Sequence, residues 1–129
     1  MGVKYYEDIN MGDRVTTAGK TITDTFITLV VGLAGYTEPF FHDEEYAKKS
    51  IFGGRVAPGV LTIMAAGALV EQSGFWKDSA LGLMALNNLE FKGPVKAGDT
   101  ITVEMDVYDK KETSKPDCGL VWDRKVIRN

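Results

Sequence analysis

The chain of 129 residues is 44% hydrophobic and 26% charged, which is the ordinary composition of a soluble globular protein. Its net charge of −3 argues against binding to nucleic acid, which calls for a basic surface. The length predicts a single domain, residues 1–129, that is large enough to bury one core.

The sequence lacks the signals of a secreted, membrane-bound or cofactor-loaded protein. Its opening residues are polar and aromatic instead of charged and then apolar, so we expect neither secretion nor membrane insertion. The single cysteine, Cys118, cannot form an internal disulfide, which predicts a cytoplasmic location. No stretch has metal-ligand spacing, a glycine-rich nucleotide motif or a Ser/His/Asp arrangement, so we predict no metal and no cofactor.

The first part of the chain favours extended structure. Residues 5–9 are predicted to form a short edge segment, and residues 10–13 form a turn because they combine Asn, Gly and Asp. Residues 14–23 are rich in threonine and other β-branched residues, which favours a strand.

Two helices separated by a loop are predicted next. The first begins at Thr23 or Asp24, both of which can cap it, and ends at Gly35. Its apolar residues recur at helical spacing. Residues 36–42 are predicted as a loop. Residues 43–50 predict a short helix, acidic at its start and basic at its end, as the helix dipole favours.

Residues 52–70 form the stretch around which we expect the fold to be organised. It opens as a glycine-rich turn, and Pro58 suits the first position of a helix. From Gly59 to about Glu71 almost every side chain is small or apolar, which predicts a helix buried on all sides. At about 20 Å this helix is too short to cross a bilayer, so the rest of the chain is predicted to wrap around it.

The second half is predicted to be made of strands. Residues 81–91 suggest a long strand, with a bulge or bend at the paired asparagines, and residues 92–99 a turn. Residues 100–108 alternate strictly, which is the clearest strand pattern in the chain. Residues 110–117 are a polar hairpin tip and residues 118–127 a final strand. This order indicates an α+β fold with one antiparallel sheet.

Four pieces of the sequence resemble the MaoC-like dehydratase family, which includes the (R)-specific enoyl-CoA hydratases. They are Gly12-Asp13, Gly35 with Pro39, DEEYAKKSIFGGRVAPG at residues 43–59, and FKGPVKAGDT at residues 91–100. The resemblance implies a hot-dog fold, in which an antiparallel sheet wraps around one long central helix. It also implies dimerisation, with acyl-thioester sites at the subunit boundary.

The resemblance ends at the residues that carry the family's chemistry. Family hydratases have a loop of the form Gly-Asp-x-Asn-Pro-x-His-x-Asp-x-x-Tyr-Ala, whose Asp and His activate water and move the proton alpha to the thioester carbonyl. An alignment without gaps puts Tyr36 at the Asp position, Glu38 at the Asn position and Phe41 at the His position. Phenylalanine transfers no proton and tyrosine is a poor base near pH 7, so the usual pair is absent.

His42, the only histidine, lies one residue beyond the expected position. One interpretation is a rearranged catalytic pair of Glu38 and His42, with Tyr36 as a hydrogen-bond donor. The alternative is that His42 pairs with the acidic start of the following helix and that Glu38 is a solvated loop carboxylate. On residues alone the second interpretation is favoured for His42, and the two are balanced for Glu38.

Other candidate residues concern substrate binding. The resemblance gives Gly59 the role of an oxyanion donor, because the free N–H groups of a helix start can stabilise negative charge. Alternatively, Gly59 only lets the helix enter a crowded core. Arg55 is a candidate for contact with a CoA phosphate or for an ion pair with a carboxylate across the dimer, and the structural ion pair is favoured. Phe41 and Pro58 are the remaining candidates for contact with substrate, and Phe41 can instead help to close the core.

The predicted function is therefore binding of acyl-CoA or a related thioester by a cytoplasmic homodimer, with no nucleic acid or membrane as partner. The prediction also allows for (R)-specific hydration of an enoyl-CoA, carried out by Glu38 and His42 in a non-standard site. One alternative is a hot-dog thioesterase in which Glu38 activates water. Another is a non-catalytic partner subunit of a heteromeric hydratase.

Overall fold

The computed structural model describes residues 2–129, in which two short strands are followed by four helices and then by two long strands, an α+β order. The helices are α1 (Asp24–Ala34), α2 (Pro39–His42), α3 (Glu44–Lys48) and α4 (Gly59–Gln72). The strands are β1 (Arg14–Thr16), β2 (Lys20–Thr21), β3 (Thr100–Glu112) and β4 (Gly119–Arg128). A short 3-10 helix at Tyr6–Asp8 precedes them.

The chain divides into two compact units, each assembled from separate stretches of sequence. The first unit contains residues 2–19, 66–84 and 102–128, and the second contains residues 20–65, 85–101 and 129. In the first unit β3 pairs antiparallel with β1 and with β4. In the second unit the first two residues of β3 pair antiparallel with β2.

Strand β3 confirms the alternation that the sequence shows. Its inward side chains are buried and its outward ones are partly exposed, as expected for a sheet with one covered face. The buried side chains are Ile101, Val103, Met105 and Val107. On the other face Glu104 and Asp106 pair with Arg128 and Arg124 of β4 across the ladder.

The N-terminal prediction was wrong in two respects. Residues 14–23 form two strands instead of one. Thr17, between them, accepts a hydrogen bond from the Val103 N–H through its hydroxyl (2.9 Å), so a side chain supplies what a strand carbonyl would have supplied. The edge segment predicted at residues 5–9 is instead the 3-10 helix, whose start is held by the carboxylate of Asp8 bonded to the Tyr5 N–H (3.0 Å).

Helix α4 has nearly the predicted length, but it is not buried on all sides. Its buried residues are Leu61, Thr62, Ala65, Ala66, Leu69 and Val70. Val60 and Met64, on the opposite face, are each 52% exposed. The apolar composition of α4 therefore did not reveal that the face carrying Val60 and Met64 is left exposed in a single chain. Within residues 2–129, no helix has the length and apolar character needed to cross a bilayer.

The prediction of a long strand at residues 81–91 was also wrong, because the structure shows no strand in this segment. Its six large apolar side chains are between 50% and 86% exposed: Leu81, Leu83, Met84, Leu86, Leu89 and Phe91. Asn88 has φ 52°, which places the expected bend at the paired asparagines. A strand needs a neighbour for its backbone groups, and this segment finds none within residues 2–129.

Candidate functional site

The candidate site begins where α1 ends. Thr23 caps the helix start by accepting the Phe26 N–H (3.1 Å), as predicted. At the other end Gly35 adopts φ 81°, a left-handed conformation that glycine enters without a steric penalty. The N–H groups of Gly35 and Tyr36 both donate to the Val31 carbonyl (3.0 and 3.1 Å). This turn fixes where Tyr36 leaves the helix.

The residues predicted as a loop contain the short helix α2, followed at once by α3. Glu38 is at the N-cap position of α2, but its side chain makes no capping hydrogen bond, and Pro39 occupies the first turn. Asp43 ends α2 and caps α3, since its carboxylate accepts the Tyr46 N–H (2.9 Å). His42 is thereby held at the junction of the two helices.

The imidazole of His42 is oriented by the backbone. Its Nε2 lies 2.8 Å from the carbonyl oxygen of Thr37. A carbonyl oxygen only accepts, so Nε2 donates the proton of this hydrogen bond. In the neutral imidazole Nδ1 then carries the lone pair, which leaves an acceptor available to a ligand or a water molecule.

The positions that align with the family's Asp and His are occupied by two aromatic rings in contact. The ring centroids of Tyr36 and Phe41 are 5.3 Å apart and their planes meet at 65°, an edge-to-face arrangement. This contact is attractive but transfers no proton. At these two positions the chain therefore has a packing pair where the resemblance described above leads us to expect a reactive pair.

Arg55 connects three parts of the second unit. Its side chain is only 13% exposed and forms ion pairs with Asp24, at the start of α1, and with Glu44, at the start of α3. Its Nη1 donates to the hydroxyl of Thr28 (3.2 Å). The guanidinium donors are thus directed at protein groups, and the carboxylates they reach belong to the same chain and not, as expected from the sequence, to a partner subunit.

Two cavities adjoin these residues. The first, of about 340 Å³, lies against the last two turns of α1. It is lined by Thr28, Val31, Gly32, Gly35, Tyr36, Thr37, His42 and Arg55. The second, of about 580 Å³, is more polar. It is lined by Asp24, His42, Glu44, Gly53, Gly54, Arg55, Lys96 and Ala97. Since His42 and Arg55 line both, the two cavities meet at these side chains.

The structure brings three of the predicted site residues together, namely Tyr36, His42 and Arg55, which all line the first cavity. Glu38 and Phe41 line neither of the two cavities. Among residues 2–129, no side-chain hydrogen bond or ion pair joins Glu38 to His42, so the two side chains predicted as an acid–base pair are not bonded to each other.

The start of α4 lies apart from both cavities. Neither Pro58, which is fully buried, nor Gly59 lines them. A Cβ added at Gly59 would lie 2.7 Å from the ring of Phe91, so a larger residue at this position would require that ring to move. Phe91 is 57% exposed, so this contact restricts the space at Gly59 without being part of a buried core.

Sequence reasoning missed the contribution of α1 to the site. Three of its residues that line the first cavity, Thr28, Val31 and Gly32, follow the spacing i, i+3, i+4 and therefore share one helix face. The available signal was Gly32, because glycine is unfavourable inside a helix. Within the described chain, no cluster of three or more His, Cys, Asp or Glu side chains has metal-binding geometry.

A family model for the MaoC like domain matches residues 9–125. The chain belongs to this family. It is 35% identical over 123 residues to an (R)-specific enoyl-CoA hydratase of Rhodospirillum rubrum, a match that covers 95% of the chain and 76% of the relative. The predicted membership of the MaoC-like dehydratase family is therefore confirmed.

Solved structures of relatives agree with the fold. A monoamine oxidase regulatory protein from Archaeoglobus superposes with a TM-score of 0.89 at 29% identity, over 98% of this chain and 84% of that protein. A MaoC-like dehydratase from Rhodospirillum rubrum gives 0.82 at 29% identity, over 98% and 86%. The predicted α+β hot-dog fold is confirmed.

Proposed function

We propose that this member of the MaoC-like family binds an acyl thioester, such as an acyl-CoA, in the two cavities that meet at His42 and Arg55. The observation that carries the proposal is this junction between a largely apolar cavity and a polar one. A thioester has the same division, with an apolar acyl chain on one side of the carbonyl and a polar carrier arm on the other. Cavities of these sizes are in the usual range for ligand sites, about 300–1,000 Å³.

A second candidate activity is hydration of an enoyl thioester, with His42 as the base. The hydrogen bond from Nε2 to the Thr37 carbonyl favours it, because the Nδ1 lone pair stays available to accept a proton from water. The side chains of Glu38 and His42 form no hydrogen bond or ion pair within the described residues, so in this proposal His42 acts without the carboxylate partner that the sequence suggested.

Incubation with crotonyl-CoA and with butyryl-CoA distinguishes these activities. Binding of both without turnover is the result expected for the first candidate, and addition of water to crotonyl-CoA supports the second. Release of free CoA from butyryl-CoA would instead indicate a thioesterase. The His42→Ala variant should abolish any hydration, whereas Glu45→Ala, in the neighbouring helix, serves as the matched control. If the protein bound neither crotonyl-CoA nor butyryl-CoA, the proposal that it binds an acyl thioester would be contradicted.

The aromatic pair provides a gain-of-function test. The double variant Tyr36→Asp with Phe41→His installs the family's reactive side chains at the two positions where this chain has packing residues. If the rest of the site is competent to hold a thioester, this variant should hydrate crotonyl-CoA faster than the wild type. The single variant Tyr36→Phe keeps the ring contact and should change nothing.

We further propose that the protein acts as a homodimer in the cytoplasm. The apolar segment at residues 81–91 supports dimerisation, because its large side chains are exposed and its backbone has no strand partner within the described chain. The same segment of a second copy would cover the apolar side chains and pair with the backbone. Light scattering should report the mass of two chains, and Leu83→Asp should reduce it to that of one chain. Ile51→Asp, at an exposed position outside the segment, is the control.

A further inference from the structure

One lysine of the second cavity has no partner for its charged group. Lys96 lines this cavity, and among residues 2–129 its ammonium group forms no ion pair and no hydrogen bond. The two carboxylates that line the same cavity, those of Asp24 and Glu44, are instead paired with Arg55. The side-chain nitrogen of Lys96 is therefore available to a molecule that enters the cavity.

The backbone that carries Lys96 is held by hydrogen bonds on both sides. Asp99 accepts the Lys96 N–H through its carboxylate (2.9 Å) and donates its own N–H to the Lys96 carbonyl (3.0 Å). The side-chain amide of Asn129 donates to the same carboxylate oxygen (3.1 Å) and to the Pro94 carbonyl (3.2 Å). Val56 forms an isolated antiparallel β-bridge with Lys96. These contacts fix the point from which the Lys96 side chain leaves the backbone.

A proton acceptor lines the same cavity. His42 donates from Nε2 to the Thr37 carbonyl, so Nδ1 of the neutral imidazole keeps its lone pair. A lysine amine attacks a carbonyl carbon only as the neutral base, and it has to release a proton as the new bond forms. The second cavity thus contains both groups that transfer of an acyl group to the protein requires, a nucleophile and a base.

We propose that Lys96 is a site of covalent modification, at which the protein takes up the acyl group of a bound acyl thioester. The inference rests on the proposed function, because the thioester has to be bound before its carbonyl can reach the lysine. The neutral Nζ of Lys96 attacks the thioester carbonyl carbon, a C–N bond forms and the C–S bond breaks. Nδ1 of His42 takes the proton from this nitrogen and passes it to the departing thiolate. The products are an amide on Lys96 and a free thiol, and no further reactant is consumed.

Incubation of the full chain with butyryl-CoA tests the assignment. Mass spectrometry of the intact protein reports how many butyryl groups are added over time, and digestion identifies the lysines that carry them. Lys49 is the internal reference, because it is exposed, forms no ion pair among residues 2–129 and lines neither cavity. An amine held beside its target reacts faster than a free one, so Lys96 should be modified faster than Lys49 by roughly tenfold or more. Excess CoA should occupy the cavity and protect Lys96 without protecting Lys49.

Three substitutions separate a directed reaction from random modification. Lys96→Arg keeps the positive charge without a nucleophilic amine and should leave only the slow reactions of other lysines. His42→Ala removes the base and should slow the modification of Lys96 by roughly tenfold or more. Asn129→Ala frees the turn and should lower the rate at Lys96 relative to that at Lys49, measured in the same folded molecule. A wild-type rate in His42→Ala or Asn129→Ala would overturn the part assigned to that residue.

Failure of this inference is distinguishable from failure of the proposed function. If isothermal titration shows no binding of butyryl-CoA, both are overturned. If butyryl-CoA binds but Lys96 is modified no faster than Lys49, or if CoA gives no protection, only the assignment of Lys96 is overturned. Release of CoA that continues without a gain in the mass of the protein would indicate hydrolysis and would also overturn the assignment.

Discussion

Arg55 is expected to be the most important charged residue for stability in the part of the chain that carries the site. Arg55→Ala removes ion pairs to Asp24 and Glu44 and a hydrogen bond to Thr28. Both carboxylates are half exposed or more, so each ion pair contributes about 0.5–1 kcal/mol, and the hydrogen bond adds about 1 kcal/mol. The expected loss is about 2–3 kcal/mol, or roughly 10 °C in melting temperature.

The control for this prediction is Arg124→Ala. Arg124 forms a two-pronged pair with Asp106, but its side chain is 65% exposed, so its loss should cost less than about 1 kcal/mol. Arg55→Lys keeps the charge without the planar fork and should lose roughly half as much as Arg55→Ala. Urea unfolding at low salt and in 1 M NaCl measures the free energy of unfolding of each variant. The loss caused by Arg55→Ala should be smaller in 1 M NaCl, because salt screens the exposed carboxylates. Equal losses for Arg55→Ala and Arg124→Ala would refute the reasoning.

Three further predictions concern the fold and are measured by the same urea unfolding. Leu61→Ala, in the buried face of α4, should lower the free energy of unfolding by about 2–5 kcal/mol. Leu33→Ala, on the exposed face of α1, should change it by no more than about 0.5 kcal/mol, and similar losses for the two variants would contradict the burial described. Asp43→Ala should cost about 1 kcal/mol through loss of the α3 cap, and Asp43→Asn should recover most of it. Thr17→Val should cost about 1–3 kcal/mol, because it leaves the buried Val103 N–H without an acceptor, while Thr17→Ser should be milder.

The sequence predicted those elements whose signals are local. The cap at Thr23, the left-handed end at Gly35 and the alternation along β3 depend on neighbours within a few residues, and all three are present in the structure. The failures occurred where a segment depends on a distant partner. Residues 81–91 have the composition of a strand, but hydrogen bonds to another strand are what define one, and composition cannot supply them.

The site was predictable in part for the same reason. His42 and Tyr36 were found because residue type and family position single them out, and both line the first cavity. The contribution of α1 was missed because its one signal was a glycine inside the helix, Gly32, and a residue without a side chain points to no particular chemistry. Arg55 was expected to pair with a carboxylate across the dimer, but Asp24 and Glu44, its partners in the structure, lie 31 and 11 residues away in the same chain, and only the fold identifies them.

The frame of the site and its reactive groups are supplied by different side chains. The turn at Gly35, the cap at Asp43 and the ion pairs of Arg55 use no atom of the side chains at positions 36 and 41. Those two side chains can therefore change from a proton-transferring pair to an aromatic pair while the backbone around them keeps its course. Under the proposed function, this separation allows the chain to bind a thioester without the proton-transferring pair that the resemblance implies.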